Sequence, residues 1–144
     1  MVKRFDIDAL VARAVDAGLD GLDFLAQFTH DELDAGYNGI GPEFLWSWIR
    51  DRLSDRLDIF APAALIHDMR NDVADGTRER FLAANDEFRR NCLKLAEHAY
   101  PWWSLRRYRA KAVAEILYDF VSADNFGWKA WLDATERNNE RKQQ

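Results

Sequence analysis

Apolar side chains recur along this chain three and four residues apart, the spacing of one face of an α-helix, in blocks separated by glycine or proline. Ile7, Leu10, Val11, Ala14 and Val15 make the first block, over 6–17, and Gly18 stops it. Leu22, Phe24, Leu25 and Phe28 predict a second helix over 21–34. The glycines of AGYNGIGPEF then interrupt the pattern and leave a loop at about 36–42. Pro42 is suited to open a third helix, with Phe44, Leu45, Trp48, Ile49 and Leu53 on one side.

The stretch PAALIHDMRND begins with another proline at a helix start and predicts a helix over roughly 62–74, closed by Asp75 and Gly76. Thr77 is a candidate N-cap, with Arg80 where a capping box would place Glu or Gln. A long helix follows to about Ala99, with Phe81, Ala84, Phe88, Cys92 and Leu95 as its apolar stripe. YPWWS breaks it at Pro101. Ser104 caps a further helix over 104–121, and a last one covers about 124–136 before NNERKQQ frays. No segment alternates with period two, so the chain reads as all-α. Repeats and Pro/Gly/Ser-rich linkers are absent, which gives one domain over 1–144 built around two antiparallel central helices and a glycine-rich loop.

Composition fits that picture. With 144 residues, 48% hydrophobic and 31% charged, the chain can bury a core without disulfide staples. Its single cysteine, Cys92, allows no internal disulfide and suits a reducing compartment. No apolar run is long enough to span a bilayer, and MVKRFDIDAL lacks the apolar stretch of a signal peptide. The net charge of −5 argues against a general nucleic-acid binder. Acidic side chains predominate over 1–60 and basic ones over 101–144.

The chemistry of interest lies at His67 and Asp68. As helix neighbours they point about 100° apart and cannot pair tightly with each other. That arrangement suits a carboxylate that holds a cation beside an imidazole that moves a proton. A calcium ion takes six to eight oxygens, many of them often backbone carbonyls. A glycine-rich loop can turn carbonyls inward, and Tyr37-Asn38-Gly39-Ile40-Gly41 lies upstream. An EF-hand alignment of NDVADGTRERF fails, because Val73 falls on a ligand position and Phe81 or Leu82 where the closing Glu belongs. HExxH, CxxC, a P-loop and a nucleophile elbow are absent.

A YxGxG loop followed by a helix bearing His-Asp resembles the phospholipase A2 superfamily, in its short, disulfide-free viral type, over about residues 36–92. The resemblance implies calcium held by the backbone carbonyls of Tyr37, Gly39 and Gly41 and the carboxylate of Asp68. It implies His67 as general base on a water attacking an ester carbonyl, and a phospholipid membrane surface as partner. It further implies a phage or prophage origin, with synthesis in the cytoplasm and release in a particle or by lysis.

Three features depart from the family pattern. Asn71 stands where a tyrosine is usual, four residues after the histidine. The stretch between loop and histidine carries an extra helix-like insert at 44–58. The segment that should supply an acid to the histidine reads AANDEF, which places Asn85, not Asp86, three before Phe88. Asn85 lies within the apolar stripe and Asp86 one step round, so both are candidate partners of His67. Asparagine can orient an imidazole but cannot stabilise an imidazolium by charge. The alternative reading is therefore a catalytically retired phospholipase A2-like interaction or structural protein.

The bland readings stand beside these. A helix-face histidine can simply bond a carbonyl, and YNGIG can be a connection between helices. Asn85 can be a buried amide capping some backbone group. His30 and His98 are assigned to surface or core. Of six tryptophans, most are expected to fill the core, while Trp102 and Trp103 are expected to be partly exposed among Arg106, Arg107, Arg109 and Lys111.

Overall fold

The structure, a computed structural model, describes residues 6–37 and 54–143. These residues form seven α-helices and no strand. They are α1 (Ile7–Asp16), α2 (Leu22–Leu25), α3 (His30–Gly36), α4 (Ala61–Asp72), α5 (Arg78–Ala99), α6 (Leu105–Ser122) and α7 (Lys129–Lys142). A 3₁₀ turn, Ser54–Phe60, leads into α4. A π turn, Asp124–Trp128, joins α6 to α7. The chain is all-α.

Most boundaries follow from local chemistry. Thr77 caps α5 by accepting from the Arg80 amide, and Ser104 caps α6 by accepting from the Arg106 amide. Gly76 closes α4's connection with φ of +81°, a conformation that a side chain makes costly. The helix expected over 21–34 is two helices. Thr29 accepts from the Glu32 amide and Glu32 bonds the Thr29 amide, a complete capping box that starts α3 afresh. The last helix runs on to Lys142, through residues expected to fray. The helix expected after Pro42 lies outside the described residues.

Helix α5 is the hub. It packs on α4 on one side and along α6 on another. Pairs Arg89–Glu115, Asp86–Tyr118 and Asn85–Val121 run in opposite directions along α5 and α6, so these two are antiparallel. The main core gathers Ile7, Phe60, Leu65, Ile66, Met69, Phe88 and Leu95 from the packed helices. A satellite core under α7 holds Phe81, Ala84 and Trp131. Asn91, fully buried, ties the turn before α2 to the hub: its Oδ1 accepts from the Asp20 amide at 2.8 Å and its Nδ2 donates to the Asp20 carbonyl at 3.0 Å. Such two-way pairing is what makes a buried amide tolerable. Cys92 is buried, and burial pushes its thiol pKa up. No helix among the described residues is long and apolar enough to cross a membrane.

Candidate functional site

His67 sits in the middle of α4, a helix whose residues from Ala61 to His67 are all buried. Its Nε2 lies 3.0 Å from Asn85 Oδ1 on α5. The Asn85 amide is in turn fixed by α6, because Nδ2 donates to the Val121 carbonyl at 3.2 Å. That second bond decides the first. With Nδ2 committed to a carbonyl, Oδ1 is the atom presented to His67, and an amide oxygen only accepts. Nε2 therefore carries the proton in the neutral ring, and Nδ1 keeps its lone pair. Nδ1 makes no hydrogen bond to any described residue.

Burial lowers the His67 pKa below its ordinary value of 6.5, while the Asn85 bond and the charge of Glu87 oppose that shift. Burial thus favours the uncharged ring. Phe88 packs on it at 4.9 Å between ring centroids. Glu87 itself is held by both arms of Arg70, each at 3.0 Å.

Gly127 makes the arrangement possible. A Cβ at this position would overlap the Val121 carbonyl oxygen. The π turn, closed by the Trp128 amide on the Ala123 carbonyl at 3.2 Å, brings the bare glycine backbone against that oxygen. Only a residue without a side chain permits so close an approach.

The imidazole lines a cavity of about 410 Å³ between α4, the end of α6, the π turn and the start of α7. Asp68 and Asn71 share its α4 wall, Phe120 and Phe126 give apolar surface, and Lys129 brings a cation. The walls are thus apolar in part, with a few polar groups converging, as binding cavities usually are.

The candidate residues are not all gathered there. Asp86 is exposed and accepts from the Tyr118 hydroxyl at 3.1 Å, so the partner of His67 is Asn85. Tyr37, immediately after α3, is buried; burial first, and then the charge of Asp68, raise its phenol pKa, which places ring and carboxylate near each other. Gly39 and Gly41 lie outside the described residues. No cluster of three carboxylate, imidazole or thiol groups occurs among the described residues. Of the residues that the resemblance assigns to calcium, Tyr37 and Asp68 are described, and Asp133 is a second carboxylate in the lining of the cavity. His30 is exposed and bonds Asp8 at 3.1 Å, and His98 is exposed. Of the four described tryptophans, Trp131 is buried, Trp128 half-buried, and Trp102 and Trp103 exposed.

Neither the apolar periodicity nor any motif of the chain points to the α6–α7 half of the cavity. Its one local signal is Gly127 inside DNFGW, which breaks a helical pattern that otherwise runs on. Comparisons of the chain with protein-family models, with curated proteins and with solved structures each found no match.

Proposed function

We propose that the chain is a phospholipase A2-like acyl ester hydrolase in which His67 Nδ1 takes a proton from the attacking water. The observation that carries this reading is the chain Val121 carbonyl, Asn85 amide, His67 imidazole. It holds a neutral ring in one tautomer, its basic nitrogen uncommitted among the described residues, beside a cavity large enough for part of an acyl chain. A general base must be unprotonated at working pH and oriented before substrate arrives. Burial supplies the first condition and Asn85 the second. Asp68, with carbonyls of Tyr37, Gly39 and Gly41, would hold calcium. Bound there, the ion would supply positive charge to the developing oxyanion.

The test is calcium-dependent release of fatty acid from phospholipid vesicles. Activity should fall by about 10²–10⁴-fold in His67→Gln with the helical circular dichroism intact. Calcium should raise the melting temperature through mass action, and less so in Asp68→Ala. Activity that survives His67→Gln overturns the mechanism. One observation favours the second reading, a retired interaction protein: Asn85 offers the imidazolium no negative charge. Folded, calcium-loaded wild type that cuts no ester would select it.

A further inference from the structure

The turn between α5 and α6 leaves large apolar side chains in water. Trp102, Trp103 and Leu105 are 75%, 70% and 75% exposed, and Tyr108 is 62% exposed. Leu105, Tyr108, Ala112 and Ile116 continue the patch along α6 at three- and four-residue spacing. This is a second apolar stripe on that helix, facing away from its buried face of Ala110, Val113, Ala114 and Leu117.

Charge at the same place breaks a local rule. Arg106, Arg107, Arg109 and Lys111 crowd the first turns of α6, where the helix dipole is positive, and the first turn holds no acidic residue. Arg107 and Lys111 reach Glu97 at 3.8 and 2.9 Å. Arg106 and Arg109 are exposed and form no ion pair with any described residue. Uncompensated cations at a helix N-terminus destabilise the isolated fold, and such local conflicts mark function. A second copy meeting the first through this same patch would oppose like charges, which disfavours a two-fold dimer.

We propose that this corner docks the chain on an anionic phospholipid surface. Trp102, Trp103, Leu105 and Tyr108 would sit at headgroup level, where amphipathic rings are favoured, with Arg106 and Arg109 against lipid phosphates. The proposal does not rest on the hydrolase reading. The corner is at one end of α6 and the His67 cavity at the other, about 27 Å apart at 1.5 Å per residue.

Sedimentation with vesicles of phosphatidylcholine, alone or with a quarter phosphatidylglycerol, tests it without any chemistry. The chain should pellet with the anionic vesicles and only weakly with the neutral ones, and salt should release it. Arg106→Gln with Arg109→Gln should weaken binding by about 25-fold, since each cation near an anionic surface counts for about fivefold. Trp102→Ala with Trp103→Ala should weaken it by about tenfold or more. These residues are exposed, so the tryptophan variant should keep the melting temperature of the wild type and the arginine variant should melt no lower. Equal binding to both vesicle types, or full binding by either double variant, overturns the proposal. So does polyglutamate competing as well as anionic vesicles, which assigns the patch to an acidic protein. Self-association without lipid that is lost with the tryptophans also overturns it and assigns the patch to a second copy. A chain that docks but cuts no ester refutes the hydrolase and leaves docking standing.

Discussion

The two ends of α6 handle polar groups in opposite ways. At its C-terminal end the Val121 carbonyl accepts from Asn85, and the buried Asn85 accepts from the buried His67. At its N-terminal end Trp102, Trp103 and two arginines without ion-pair partners among the described residues stand in solvent. A buried donor or acceptor without a partner costs about 1–3 kcal/mol, so the buried end has one satisfied geometry and keeps it in the free protein. An exposed arginine has water and no such requirement. The lesson is that a site for chemistry can be read from its internal bonds, while a docking surface shows itself by what it lacks.

Substitutions at the two ends should separate accordingly. The largest effect is expected at Gly127. Adding one methyl group in Gly127→Ala drives it into the Val121 carbonyl, and the π turn must move. A loss of about 3 kcal/mol or more in denaturant unfolding is expected, with the Asn85–His67 bond disturbed. Retention of wild-type stability would show that the turn yields easily and that the buried end is less fixed than described.

Asn85→Leu comes next. It leaves the Val121 carbonyl and the His67 N–H without a partner, for a loss of about 1–3 kcal/mol. Turnover should fall by about 10–100-fold, the size of effect that an orienting partner has on a metal-bound imidazole. Asp86→Ala, which removes only the surface bond to Tyr118, should stay within about 0.5 kcal/mol of wild type. An Asp86→Ala chain more damaged than Asn85→Leu would reverse the assignment of the partner.

The pH response has a definite sign. His67 has a folded pKa lowered below 6.5. Above 6.5 the ring is neutral in folded and unfolded chains alike and contributes nothing. As pH falls through 6.5 the unfolded chain takes up a proton that the folded one refuses, so stability declines until the lowered folded pKa is reached. The acid limb of hydrolysis should likewise fall below 6.5. In Asn85→Asp a carboxylate would replace the amide, raise the His67 pKa and move that limb upward. It would also set an oxygen against the Val121 carbonyl in place of Nδ2, so this variant should melt lower. An acid limb unmoved by Asn85→Asp would mean that another group titrates.

The smallest effect tests the exposed end. Arg106→Glu places an acid in the first turn of α6, and the free protein should gain about 0.3–1 kcal/mol. Destabilisation instead would show that Arg106 has a structural partner and that the corner is not held back for a surface.

The sequence conveys these two ends unequally. The exposed corner is nearly all local: Pro101 ends a helix, Ser104 starts one, and WWSLRRYRAK lies between and after them. The periodicity of α5 also puts Asn85 inside the apolar stripe and Asp86 beside it, and the structure places them so. The start of α3 was equally legible in THDE, where a capping box outweighs the apolar spacing that joins 21–34 into one helix. What sequence does not convey is the second half of the cavity. Phe120, Val121 and Gly127 lie over fifty residues beyond His67, and no local rule links a carbonyl to a distant amide. Tertiary pairing of a backbone oxygen leaves no residue type to recognise.

The central claim is that His67 is a neutral base with its proton held on Nε2 by Asn85. Two-bond proton–nitrogen correlation spectra of the ¹⁵N-histidine-labelled protein at pH 7 read it directly. The account predicts, for His67, a protonated Nε2 and an unprotonated Nδ1, with that preference lost in Asn85→Leu. A proton on Nδ1, or an imidazolium at pH 7, would contradict it.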